Sequence, residues 1–210
     1  RQRSFKEALF YYHRSAATSR RLGRLIQFCT TILNLGDLYL TVGDLDKSTR
    51  LSDIARSYIA RNRYPFLEPQ LLTLEGDIAR FADDYETALT HYQSAEKLIR
   101  TGSMSNQRLI PLLLATSELH LDHQALDRAE KKLEEALHLV SSMHEGLALR
   151  LRITHGGILS ERGELGQARQ ELEAAAHGAT ESGDLEALWL AHSRLGLTLW
   201  RLGELGLAQT

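Results

Sequence analysis

The chain has 210 residues, enough for one large domain or two small ones, and its 43% hydrophobic and 25% charged residues are ordinary for a globular protein. Its single cysteine, Cys29, excludes a disulfide framework and a multi-cysteine zinc site, and a net charge of −2 excludes a globally basic nucleic-acid binder. No apolar run approaches the ~20 residues of a membrane span, and there is no signal peptide or glycosylation sequon, so the expected setting is cytoplasmic with no membrane partner.

Residues 1–21 carry Ala8, Tyr12 and Ser15 at i, i+4 and i+7, the spacing of one helix face. In 22–63, a first helix with Ile32, Leu35, Gly36 and Tyr39 leads to a turn at Gly43 and Asp44, then to a second helix with Ser48, Ser52 and Ala55. The same order recurs in 64–104: Leu72, Gly76 and Ala79, then Asp83 and Asp84, then Ala88, Tyr92 and Ala95. Residues 105–143 follow with Ser117 and His120, then Ala129, Leu133 and Ala136. Residues 144–183 have Gly156, a turn at Gly163 and Glu164, then Ala168, Leu172 and Ala175. Residues 184–210 open another pair with Gly196, a turn at Gly203 and Glu204, and Ala208.

Aligned, these rows make a repeat. The small residues Gly36, Gly76, Ser117, Gly156 and Gly196 are 40, 41, 39 and 40 apart, and a second small residue follows each by 12. Glycine just past a helix end takes the left-handed conformation that closes it, and an acidic residue after it caps the next helix. The small residues are expected where two antiparallel helix backbones approach closely. The units are therefore a partial one at 1–21, four complete helix pairs, and a partial one at 184–210, as in a piece of a longer array.

This pattern resembles the tetratricopeptide repeat (TPR) family. Its bulky residue, Leu-Gly, Tyr, Ala, Phe/Tyr and Ala read here as Ile32, Leu35 with Gly36, Tyr39, Ser48, Ser52 and Ala55, then as Leu72, Gly76, Ala79, Ala88, Tyr92 and Ala95. The resemblance covers essentially the whole chain. It departs in its period, about 40 rather than 34, and in lacking most of the family's late prolines. The long-period version looks like the helical-repeat regions of bacterial signalling ATPases and LuxR-type transcription regulators, and of some eukaryotic adaptor proteins.

The resemblance implies an all-α, right-handed superhelical solenoid of antiparallel helix pairs over 1–210, whose first helices line a concave groove. The groove positions it implies are Asp37, Leu40, Thr73, Asp77, Arg80, Phe81, Glu118, Leu121, Ile153 and Trp200. Rigid concave surfaces of this kind suit a peptide or a partner helix. Asp37, Asp77 and Glu118 share one register position, an acidic row suited to a partner's Lys and Arg or simply a solvated helix position. Trp200, eleven residues after Trp189, is either a groove anchor or a contact to a following repeat.

Charge is uneven. Residues 1–63 hold 12 basic and 5 acidic side chains, and 64–210 hold 13 and 22. The cluster Arg14, Arg20, Arg21 and Arg24 lacks the aromatics of a nucleic-acid surface and reads as a solvated basic face or a contact to an upstream domain. His120 and His123 are two candidate metal ligands without a third, and Cys29 lies on an apolar helix as a small buried residue. His155, Gly156 and Gly157 fall inside a helix by the repeat register. No nucleophile elbow, phosphate loop or dinucleotide fingerprint is present. The expectation is a protein-interaction scaffold, not an enzyme, with no cofactor and no metal; self-association through its terminal repeats is a rival reading. The alternative is a ligand- or peptide-sensing regulatory domain of a signalling ATPase or transcription regulator.

Overall fold

Ten α-helices account for most of the residues described by the computed structural model, which are 2–102, 106–140 and 145–203. The chain divides into two compact units, Arg1–Met104 and Ser105–Thr210. The first contains α1 (Gln2–Arg21), α2 (Leu25–Thr41), α3 (Leu45–Asn62), α4 (Glu68–Phe81) and α5 (Tyr85–Thr101), with a 3₁₀ turn at Pro65–Leu67 leading into α4. The second contains α6 (Leu109–Asp122), α7 (Leu126–Leu139), α8 (Glu145–Glu161), α9 (Leu165–Ser182) and α10 (Leu185–Arg201). Helices α2, α4, α6, α8 and α10 carry the small-residue row of Gly36, Gly76, Ser117, Gly156 and Gly196, and α3, α5, α7 and α9 carry the row 12 residues later. Glu204 and Ala208 lie outside the described residues.

Within a pair, a three-residue turn closes one helix and opens the next. Residues 43, 83, 124 and 163 all take φ between 60° and 82°, the left-handed region. The next residue sends its N–H back to the carbonyl five positions earlier: Asp44 to Tyr39, Asp84 to Ala79, Ala125 to His120 and Glu164 to Leu159, at 2.8–2.9 Å. That same residue starts the second helix. The Asp44 and Asp84 carboxylates accept from the N–H of Lys47 and Thr87, both at 3.1 Å, whereas Ala125 and Glu164 give no side-chain cap.

The small-residue row has a different cause from the one expected. A Cβ at Gly76 would meet the ring of Tyr92, and one at Gly156 would come within 2.7 Å of Leu172. Both of those large residues lie 16 positions on, on the second helix of the same pair. The missing side chain makes room for a bulky neighbour more than for a backbone. At Gly36, which has Ser52 at that place, Leu74 of α4 fills the space instead. Ser117 keeps its hydroxyl satisfied by donating to the Ala129 carbonyl at 2.7 Å.

Each pair packs on the next through both its helices: α2 and α3 touch α4 in the first unit, and in the second α6 and α7 touch α8, and α8 and α9 touch α10. In the first unit Phe28, Ile32, Leu33, Ile59, Leu71 and Leu74 form one core, and in the second Leu149, Ile153, Leu172 and the alanines of α9 form another. Helix α6 is apolar on every side and is buried almost all round, from Leu109 to Leu121.

Candidate functional site

The first-helix face of the first unit is built from α2 and α4. Asp37 and Asp77 stand at equivalent register positions on these two packed helices. Asp37 is open to water and Asp77 is half-buried. Tyr92 reaches up from α5 with its ring fully buried against Gly76, and its hydroxyl donates to Asp77 Oδ1 at 2.5 Å. Protein surrounding Asp37 on most sides, together with the negative charge of Asp77, pushes its carboxyl up to about 7. A water-sized contact still reaches Asp37, so it is crowded without being covered.

The other expected groove residues of this unit gather on the same two helices. Leu40, Thr73 and Arg80 are half-buried and Phe81 is exposed. The Thr73 hydroxyl donates to the Pro69 carbonyl, one turn earlier on α4, at 2.8 Å. Polar pairs tie the helices: Gln70 Nε2 donates to Asn34 Oδ1 at 3.0 Å, and His13 of α1 meets the Tyr39 hydroxyl at 2.9 Å.

The second unit uses the corresponding positions differently. Glu118 is buried, and both its oxygens accept from Arg150 Nη2 of α8 at 2.9 Å. An ion pair inside the repeat array therefore engages the third carboxylate of the expected row. Leu121 and Ile153 are core residues, 2% and 3% exposed, so they offer no groove surface. Further along, Arg194 lies 3.8 Å from Asp122, and Arg201 lies 2.8 Å from Glu161 while donating to the Ser160 carbonyl at 3.0 Å. Trp200 stands exposed on α10, as does Trp189.

Sequence reading missed Tyr92 as the donor to Asp77, and Arg150, Arg194 and Arg201 as inter-repeat partners. One signal was available. Glu161 and Arg201 occupy the same register position in successive repeats with opposite charge, as a cross-repeat ion pair requires.

A second charged cluster sits between α3, α4 and α5. Arg56 Nη2 lies 2.7 Å from Glu75 Oε1, and His91 Nδ1 lies 3.7 Å from Oε2. Burial pushes the Glu75 carboxyl up against the pull of Arg56, and burial followed by the Arg56 charge pushes the His91 imidazole down. In the second unit a cleft of about 300 Å³ opens between α7, α8 and α9, lined chiefly by Leu137, Leu149 and Leu151, with Arg152 and Glu171 paired at 3.2 Å. Cys29 is fully buried, which raises its thiol. His155, Gly156 and Gly157 lie within α8. Among the described residues no three His, Cys, Asp or Glu side chains converge as a metal site would require, and no helix is long and apolar enough to cross a membrane.

No protein family and no curated protein matches the sequence. Solved structures do resemble the fold. BtubC (BKLC) from P. vanneervenii has a TM-score of 0.69 at 18% identity, over 98% of this chain and 87% of that one. The APC/C hetero-tetramer Cut9–Hcn1 matches at 0.62 and 17%, over 93% of this chain and 39% of the matched one. The Rap conjugation gene regulator of plasmid pLS20, in complex with the Phr* peptide, matches at 0.62 and 15%, over 98% and 61%. This chain thus spans less than two thirds of each of the last two. The likeness shows a TPR-like helical-repeat fold of packed helix pairs.

Proposed function

We propose that the chain is a protein-interaction module that binds a basic segment of a peptide or partner protein on the α2–α4 face, without chemistry. The observation that carries this reading is the Asp37–Asp77 juxtaposition. The two carboxylates come from successive repeats, and crowding by the surrounding protein, helped by the charge of Asp77, keeps Asp37 partly protonated near neutral pH. An arginine or lysine placed there draws off that proton and cancels the repulsion, with Phe81 and Leu40 offering apolar contact to the side-chain stem. That structures of similar fold were solved as a protein complex and as a peptide complex supports a binding role. Glu118, Leu121 and Ile153 are left out of this site, and its extent is Asp37, Leu40, Thr73, Asp77, Arg80 and Phe81.

The test is a peptide array probed with the purified chain and with its Asp37→Asn, Asp77→Asn double variant. Asparagine keeps an acceptor for Tyr92 and removes the charge. The expected result is enrichment of Lys- and Arg-containing peptides by the parent, lost in the variant. Calorimetry of one such peptide in two buffers should register proton release near pH 7. Equal binding by both proteins, or no basic preference, overturns the reading.

A second reading sets the module in a regulatory protein, such as a signalling ATPase or a LuxR-type regulator, where a bound peptide changes the repeat geometry. The fold shared with the peptide-bound Rap regulator favours it. Compaction on adding an array-selected peptide, seen by small-angle scattering, is its expected sign.

A further inference from the structure

One edge of the first unit is strongly basic. It is where α1 and α3 end and α2 and α4 begin, and the packing of α2 against α1, α3 and α4 brings its two connectors side by side. Residues 20–26 hold three arginines and no acid, and residues 60–68 hold two arginines and Glu68. Arg20, Arg21, Arg24, Arg61 and Arg63 are all exposed. Among the described residues, their side chains make no hydrogen bond or ion pair.

The fold does not ask for this charge. Arginine suits a helix C-terminus, which accounts for Arg20, Arg21 and Arg61. The same dipole opposes Arg24, which stands at the start of α2 and gives no side-chain cap. Its counterpart four repeats on is Asp184, whose carboxylate caps α10 by accepting from the Ala187 N–H at 3.1 Å. Arg63 takes φ 55°, in the left-handed region, where Gly23 and Gly183 take 69° at the same register position. At two positions, then, the chain carries arginine where its own repeat supplies a residue better for folding. Residues 180–186, equivalent to 20–26, hold three acidic side chains and no basic one, so the repeat itself does not require a basic edge. Local rules broken without a gain to the fold mark a functional surface.

We propose that this edge docks an acidic segment of a partner polypeptide, with its carboxylates on the arginines and its apolar side chains on Leu22 and Ile26. A guanidinium presents paired N–H donors that match the two oxygens of a carboxylate. Leu22 and Ile26 flank Arg24, 55% and 42% exposed, and they decide the class of anion. A nucleic-acid backbone gains nothing from aliphatic side chains, and two of them anchor a lipid surface only shallowly. A polypeptide can set apolar residues between its carboxylates and use both kinds of contact. The edge takes the opposite charge to the Asp37–Asp77 site, and the proposal does not rest on that one.

Fluorescence anisotropy tests it with the 210-residue chain and a labelled peptide in which Glu alternates with Leu and Ser. The expected result is binding that weakens as salt rises and is absent for the counterpart with Gln in place of Glu. The double substitution Arg24→Asp, Arg63→Gly should weaken it by about tenfold or more. The same variant should melt a few degrees higher than the parent, since each substitution supplies what the fold prefers at that place. Asp37→Asn with Asp77→Asn should leave the acidic peptide bound. Equal binding by the parent and the arginine variant overturns the proposal, and so does no binding of the acidic peptide or its loss in the Asp37, Asp77 variant. A lower melting temperature in the arginine variant overturns it too, because the arginines then serve the fold. Tighter binding to a single-stranded oligonucleotide or to phosphatidylserine vesicles also overturns it, by assigning the edge to another class of partner.

Discussion

Asp37 keeps its proton to about pH 7 in the folded chain, whereas an aspartate in the unfolded chain loses it near pH 4. Between those values the unfolded state binds fewer protons, so stability falls as pH rises, and above pH 7 the whole cost is present. Asp37→Asn removes it. Urea unfolding should find the variant more stable than its parent at pH 8 by about 1 kcal/mol, since water at this open position screens the repulsion, and equal to it at pH 4. A gain of the same size at both pH values would point to some cause other than charge. The register position of Asp37 and Asp77 was legible from the 40-residue spacing. Their different surroundings were not: the hydroxyl that reaches Asp77 comes from Tyr92, a residue whose place in the third row marks it only as bulky. For the same reason Glu118 looked like their equal. Its partner Arg150 lies at a different register position, one that periodicity does not align with it.

Among the elements, the turn between α6 and α7 is the weakest by composition. Gln124 takes φ 60° where Gly43 and Gly163 stand in other pairs, and Ala125 starts α7 without the capping carboxylate of Asp44 or Asp84. A left-handed conformation costs a side-chain-bearing residue about 1–2 kcal/mol, and an aspartate cap contributes about 1. Thermal unfolding of Gln124→Gly and Ala125→Asp should show each stabilising by about 1 kcal/mol, with the double variant near their sum. This turn carries no glycine–acid signature, so its position follows only from counting along the repeat. Helix α6 was the faintest first helix in the sequence, with Ser117 and His120 in place of glycine and tyrosine, yet it is the most completely buried. Being apolar all round, it has no amphipathic stripe to read. The Glu118–Arg150 pair spans α6 and α8, and Arg150→Ala leaves the buried carboxylate without its guanidinium. A loss of about 2–3 kcal/mol in urea unfolding is expected, largely recovered when Glu118→Gln is added, because the cost belongs to the stranded charge.

Among the described residues of each unit, the helices that pack most extensively lie one or two apart in sequence, and this locality is why a periodic pattern revealed so much of the architecture. Residues that repeat at a fixed interval meet neighbours at fixed offsets, so Gly76 with Tyr92 and Gly156 with Leu172 are one contact written twice. What periodicity cannot carry is what breaks it: the Glu118–Arg150 pair of α6 and α8, and the uneven charge of the two ends.

The three-residue turn has a further consequence, for how such an array tolerates change in length. From first-row to second-row residue the interval is 12 in every pair, while from there to the next first-row residue it is 28, 29, 27 and 28. All the irregularity of the period falls between the second-row residue of one pair and the first-row residue of the next. Within a pair, residues such as Glu164 both complete one helix end and begin the next, so an added residue there has no neutral place and swings the following face by about 100°. A glycine inserted after Gly163 should lower the melting temperature by about 10 °C or more, and one inserted after Val140 by only a few degrees. Insertions and deletions, and any loop grafted by design, belong between the pairs, where the molecule already keeps uneven time.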